Sequence, residues 1–137
     1  IGAATGTSVV LTGAISSSSP SAGIGYATGA GGAVTQGVGR TTGVTLNAIS
    51  GAITTDTASL AAEASAVFVV TNSSVAIGDT VIVSQRSGAN GGNTVVQTDA
   101  VAAGSFSIRV LNQNAAAGAA ETGAIIINFA VIKAVSA

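Results

Sequence analysis

The clearest alternation of apolar and polar positions runs through Ser105–Leu111, where Phe106, Ile108 and Val110 fall on one side and Ser105, Ser107 and Arg109 on the other. A period of two is the mark of a strand with one face on a core. The longest apolar stretch lies in Ala124–Val135, interrupted by Asn128 and Lys133, and predicts Ile125–Val135 as the last and most buried strand. In it Ile125, Ile127, Phe129 and Val131 share one face, and Ile126, Ala130 and Ile132 make the other apolar too. A strand of that kind is expected to be covered on both sides.

Shorter strands are predicted between these and the start of the domain. Thr42–Asn47 alternates, and Ser50–Thr54 follows as its short partner. Val67–Thr71 is β-branched and aromatic and stops at Asn72-Ser73-Ser74. Gly78-Asp79 is a turn that launches Thr80–Ser84. Ser87–Asn93 reads as a flexible hairpin loop, so Val95–Val101 is expected to pair with what precedes it. Asn112–Gly118 is a further loop. Helical character is confined to Asp56–Ala66, where a single turn or a loop fits as well. Seven or eight short strands with regular turn signals predict an all-β fold, an antiparallel β-sandwich or jelly-roll-like domain.

Ahead of these strands lies Thr7–Leu11, which is strand-like, then the hydroxyl run Ser16–Ser19 and the single proline, Pro20. Such a run before a proline signals a linker. It divides the chain into an N-terminal extended arm over 1–21 and a β-sandwich domain over 22–137. The alternative is that Thr7–Leu11 is an ordinary first strand. The chain begins at Ile1 rather than Met, which fits a removed leader or a piece of a longer chain. No signal-peptide pattern is present. Gly23–Gly32 is glycine-rich, but no Gly-Lys-Ser/Thr closes it as a phosphate loop requires. Tight turns or close backbone approach explain it better.

Composition narrows the chemistry sharply. The 137 residues include no His and no Cys, and only four basic and five acidic side chains. Zinc sites and most acid–base catalysts draw on the missing residue types. No base stands near any Ser in sequence to activate it as a nucleophile. We therefore expect no enzyme, no metal and no cofactor. A net charge of −1 without a basic patch argues against a nucleic-acid partner. No window approaches the ~20 apolar residues of a spanning helix, which argues against a membrane. Asp56, Asp79 and Asp99 with Asn72, Asn90 and Asn93 could supply oxygen to calcium, yet their spacing suits turn formers better. Scarce charge and a core with few aromatics (Phe68, Phe106 and Phe129, besides Tyr26) suggest that subunit contacts supply part of the stability. Arg40, Arg86 and Arg109, with Tyr26 as an amphipathic anchor, are the candidate subunit contacts.

One block of sequence resembles a known group. Gly25-Tyr26-Ala27-Thr28-Gly29-Ala30-Gly31-Gly32-Ala33-Val34-Thr35-Gln36, continuing into Thr41-Thr42-Gly43-Val44-Thr45-Leu46-Asn47, is similar to a stretch common in structural proteins of tailed bacteriophages. Phe68–Ser74, Asp79–Val83 and the ending Asn128–Lys133 keep that group's order, so the resemblance spans roughly 20–137. It implies a virion protein on the exterior of the assembled particle, brings no catalytic motif, and leaves head or fibre open. The expectation is a homotrimeric capsid decoration, or cement, protein that bridges the major capsid protein or other virion proteins. A distal fibre or receptor-binding domain is the alternative, and a subunit of a cell-surface β-rich filament is the second.

Overall fold

The computed structural model describes Gly6 and residues 12–88, 93–116 and 118–134. Eight strands form: β1 (Gly31–Thr35), β2 (Val44–Thr45), β3 (Ser50–Thr54), β4 (Ser65–Thr71), β5 (Thr80–Gly88), β6 (Thr94–Ala102), β7 (Ser105–Asn112) and β8 (Ile125–Ile132). They make two four-stranded sheets, ordered β1-β3-β8-β5 and β2-β4-β7-β6. We call these the first and second sheet. The fold is all-β and sandwich-like, as the alternation predicts, and no helix occurs among the described residues. Of Asp56–Ala66, residues 56–64 are an extended connection with one turn, tied by an isolated bridge between Leu60 and Glu121, and the last two residues open β4.

Pairing departs from the expected antiparallel pattern, because the sheets are mixed. β1 runs parallel to β3, and β2 parallel to β4. The cause lies in the path of the chain, which changes sheet at nearly every connection. Successive strands of one sheet are then separated by a strand of the other, and β1 and β3 arrive side by side pointing the same way. For this reason Ser50–Thr54 pairs with β1 and β8 rather than with the strand before it. β5 likewise pairs with β8 and not with β6, so the strands on either side of the expected Ser87–Asn93 hairpin loop belong to different sheets. Residues 89–92 lie outside the described residues, as does the strand-like Thr7–Leu11. The one hairpin within a sheet is β6–β7, turned by Ala103-Gly104.

Between the sheets sits the apolar core. The first sheet contributes Ile53, Val81, Ile125, Ile127, Phe129 and Val131, and the second Val44, Ala66, Phe68, Val70, Phe106, Ile108 and Val110. Phe106 and Phe129 meet across the interface with ring centroids 5.2 Å apart and planes tilted by 52°. That geometry favours the positive edge of one ring against the other's face. Close approach makes one glycine necessary here: a Cβ on Gly51 would lie 2.8 Å from the Gly32 carbonyl oxygen and 3.0 Å from the Phe129 ring.

The outer faces complete the description. β8 is covered fully on one side and only in part on the other, less than expected: Ile126 and Ala130 are half-buried and Ile132 is 51% exposed. Its outward residues continue in rows across the first sheet. One row runs Ala33, Ala52, Asn128, Ser84, and its neighbour Gly31, Ser50, Ala130, Ile82. Small and hydroxylated side chains dominate both. A bulge between Gln85 and Ser87 takes Arg86 out of register at the far end of β5.

Candidate functional site

The residues able to do chemistry are few, and the fold scatters them. Arg40 follows the first strand and is buried. Its Nε donates to the Ala58 carbonyl, Nη1 to Thr55 Oγ1 at 3.4 Å, and Nη2 to the carbonyls of Glu121 and Gly123 at 3.2 and 2.9 Å. Burial lowers its pKa from the usual arginine value, opposed by the negative charges of Glu121 and Asp56. Arg40 was expected at a subunit contact, but its guanidinium is engaged within its own chain. It pins the connection after β3 to the loop that leads into β8.

Gln36, which carries no sequence signal of its own, completes this knot. Its Nε2 donates to the carbonyls of Arg40 and Thr42, and its Oε1 accepts from the Asp56 amide. Asn112 acts similarly on the opposite loop, with Nδ2 donating to the carbonyls of Leu60, Ala61 and Ala119. Asn72 binds the Ala48 carbonyl and takes the Ser74 amide on Oδ1. Buried amides of this sort satisfy backbone groups that irregular loops leave without ladder partners. No buried side-chain polar atom among the described residues is left without a partner.

The acids also serve as local ties. Asp56 Oδ1 accepts from the Ala58 amide, the turn-forming role its sequence context suggests. Asp79 accepts from the amides of Ala76 and Ala134 and pairs with Lys133, whose ammonium also reaches the Ser74 carbonyl. The Lys133 hydrogen bond, aided by the Ala76 amide, holds the Asp79 carboxyl below the usual aspartate range despite burial. Asp99 pairs with Arg109 at 2.7 Å on the outer face of the second sheet, and Arg109 Nη1 also donates to Ser65. Asn90 lies outside the described residues. No group of three acids that could hold a metal occurs among those described.

Tyr26 lies over the first sheet, where its hydroxyl donates to the Val131 carbonyl. Ile24, Gly25 and Tyr26 roof a shallow apolar cleft whose floor is Ala130 and Ile132. Arg86 stands at the rim of the same sheet and is exposed. Of the four expected subunit contacts, two therefore share one face, one is buried and one belongs to the opposite sheet. The grouping of Tyr26 with Ile132 depends on a contact more than a hundred residues apart in sequence, which periodicity could not reveal. Comparison with protein-family models, with curated proteins and with solved structures finds no match to this chain.

Proposed function

We propose that this protein is a non-enzymatic structural component of a tailed-phage particle, a homo-oligomeric decoration protein that binds the head lattice and adds buried contacts to it. The observation that carries the reading is the segment Thr12–Gly29. All eighteen of these positions are exposed, including Ile15 at 61% and Ile24 at 73%. A segment with apolar side chains that touches its own domain chiefly through Ile24–Tyr26 suits use as an arm on a neighbouring subunit. Its lack of any charged residue fits a role in packed contacts rather than free solution. The use of every buried polar side chain as an internal tie further supports a mechanical role over a chemical one. The resemblance of residues 20–137 to phage structural proteins supplies the particle.

Two experiments test the reading. Label attached to the protein on native particles is expected over the head surface; label confined to tail or fibre tips would replace the decoration role with a receptor-binding one. Deletion of Ile1–Ser19 is expected to leave the domain folded and to weaken its binding to heads stripped of the protein. Binding as tight as that of the whole chain would remove the anchoring role of the arm.

A further inference from the structure

The outer face of the first sheet differs from that of the second in one respect that bears on what covers it. Its paired positions carry no charge at all, from Thr35 and Thr54 at one end to Ile132 at the other. Charge comes only at its margins: Arg86 at the bulged position on the rim, and the Lys133–Asp79 ion pair just past the Ile132–Thr80 pairing. The outer face of the second sheet instead carries the Arg109–Asp99 ion pair. On the uncharged face Ile82 and Ile132 are each 51% exposed, beside the cleft roofed by Ile24 and Tyr26.

We propose that this face is the homotypic interface of the protein, packed against the same face of a second copy in a two-fold dimer, in place of the three-fold assembly expected from the sequence. The argument is one of charge and symmetry. Around a symmetry axis a residue near the axis meets its own copy, so any charge there faces an identical charge. A self-associating face must therefore be neutral or carry both signs in register, whereas a face made for a different partner is free to carry a complementary charge. This face is neutral across its rows, while Arg86 and the Lys133–Asp79 pair sit at its margins, where the rim of an interface stays wet. Its apolar content is concentrated at Ile82, Ala130 and Ile132, next to each other around the β5–β8 pairing, as the dry centre of an interface would be. The small side chains of β1 and β3 leave the backbone accessible, so another sheet can approach closely. Tyr26 and Ile24 border this centre and would close one side of it.

The inference deepens the proposed function by naming the surface through which the oligomer forms, and it rests on that reading only for the statement that the protein oligomerises. The experiment is sedimentation of the whole chain at low micromolar concentration, beside three variants at exposed positions: Ile82→Lys and Ile132→Glu on the first sheet and Val69→Lys on the second. Circular dichroism and a cooperative melt check that each is folded. The expected result is an oligomer for the wild type and Val69→Lys, and a species at the monomer mass of 12.8 kDa for folded Ile82→Lys and Ile132→Glu. A monomeric wild type overturns the interface. So does an oligomer that survives both first-sheet substitutions, or one that only Val69→Lys dissolves. Should a first-sheet variant fail to fold, the other carries the test, and Ile82→Ser serves as a milder replacement expected to weaken association at least tenfold. Binding to stripped heads is scored separately. An oligomer that depends on Ile82 but ignores heads would uphold the interface and reject the decoration role.

Discussion

At the scale of single residues, this protein directs several of its few charges, Arg40, Asp56, Asp79 and Lys133, to its own backbone. Arg40 donates to four acceptors on two loops, and nothing shorter or less branched can span them together. Arg40→Ala is expected to cost about 2–4 kcal/mol, because it takes a donor from the carbonyls of Ala58, Glu121 and Gly123, of which Glu121 keeps the Leu60 amide, and opens a cavity. Arg40→Lys should recover a minor part, since an ammonium lacks the planar fork. Urea denaturation of the two variants checks both statements. Asp79 gives a pH-dependent counterpart. Its pKa is depressed in the folded protein, so the folded state binds its proton less readily than the unfolded chain does. The resulting stabilisation is complete above the unfolded value of about 4 and disappears as the pH falls through the folded value. The melting temperature of the wild type should therefore fall on acidification below about pH 4 more steeply than that of Asp79→Asn. Parallel slopes for the two proteins would remove the Lys133–Asp79 pair from the account.

At the scale of elements, β8 joins the core to the outer face, and it shows what the amino-acid pattern could and could not reveal. Ile125, Ile127, Phe129 and Val131 all face the core, in accord with their period of two. Phe129→Ala should cost about 3–5 kcal/mol, the range for a buried aromatic, and a denaturation midpoint little changed would mean that the two sheets can close over the gap. Gly51, beside Phe129 in register, is expected to be nearly as sensitive. Gly51→Val should destabilise by about 1–3 kcal/mol through overpacking, read from the same denaturation curves. Strand existence was legible because alternation is a local property of the chain. Strand pairing was not, since partners such as β3 and β8 are set by how the chain switches sheets. The outward apolar residues Ile126, Ala130 and Ile132 suggested a second covering layer, and among the described residues the short segment around Tyr26 supplies part of it. Arg40 and Gln36 illustrate the same limit. Their importance comes from orphaned carbonyls in loops, and neither residue stands in a recognisable motif.

At the scale of the whole molecule, the chain divides into a tied sandwich and a segment that contributes almost no burial. Thr12–Gly29 makes few contacts with the domain, and the chief of these is the bond from Tyr26 to the Val131 carbonyl. The two parts should therefore respond differently to truncation. Removing Ile1–Ser19 takes away no core residue among those described, so the stability of the remaining domain is expected to stay within about 0.5 kcal/mol of the whole chain. Extending the deletion through Tyr26 should behave otherwise. It removes the roof of the cleft, leaves the Val131 carbonyl without the tyrosine hydroxyl, and bares Ala130 and Ile132 beside Ile82. A contiguous apolar patch of that kind promotes association without specificity. The longer deletion should thus lower solubility while the core strands remain folded, measurable as a fall in the concentration at which the protein stays in solution. Tyr26→Phe separates the two causes, because it keeps the apolar roof and removes only the hydrogen bond. If Tyr26→Phe is as soluble as the wild type while the deletion is not, coverage of the first sheet is what matters. Equal solubility of all three proteins would show that the segment around Tyr26 shields nothing, and the cleft would then be an incidental feature of the outer face.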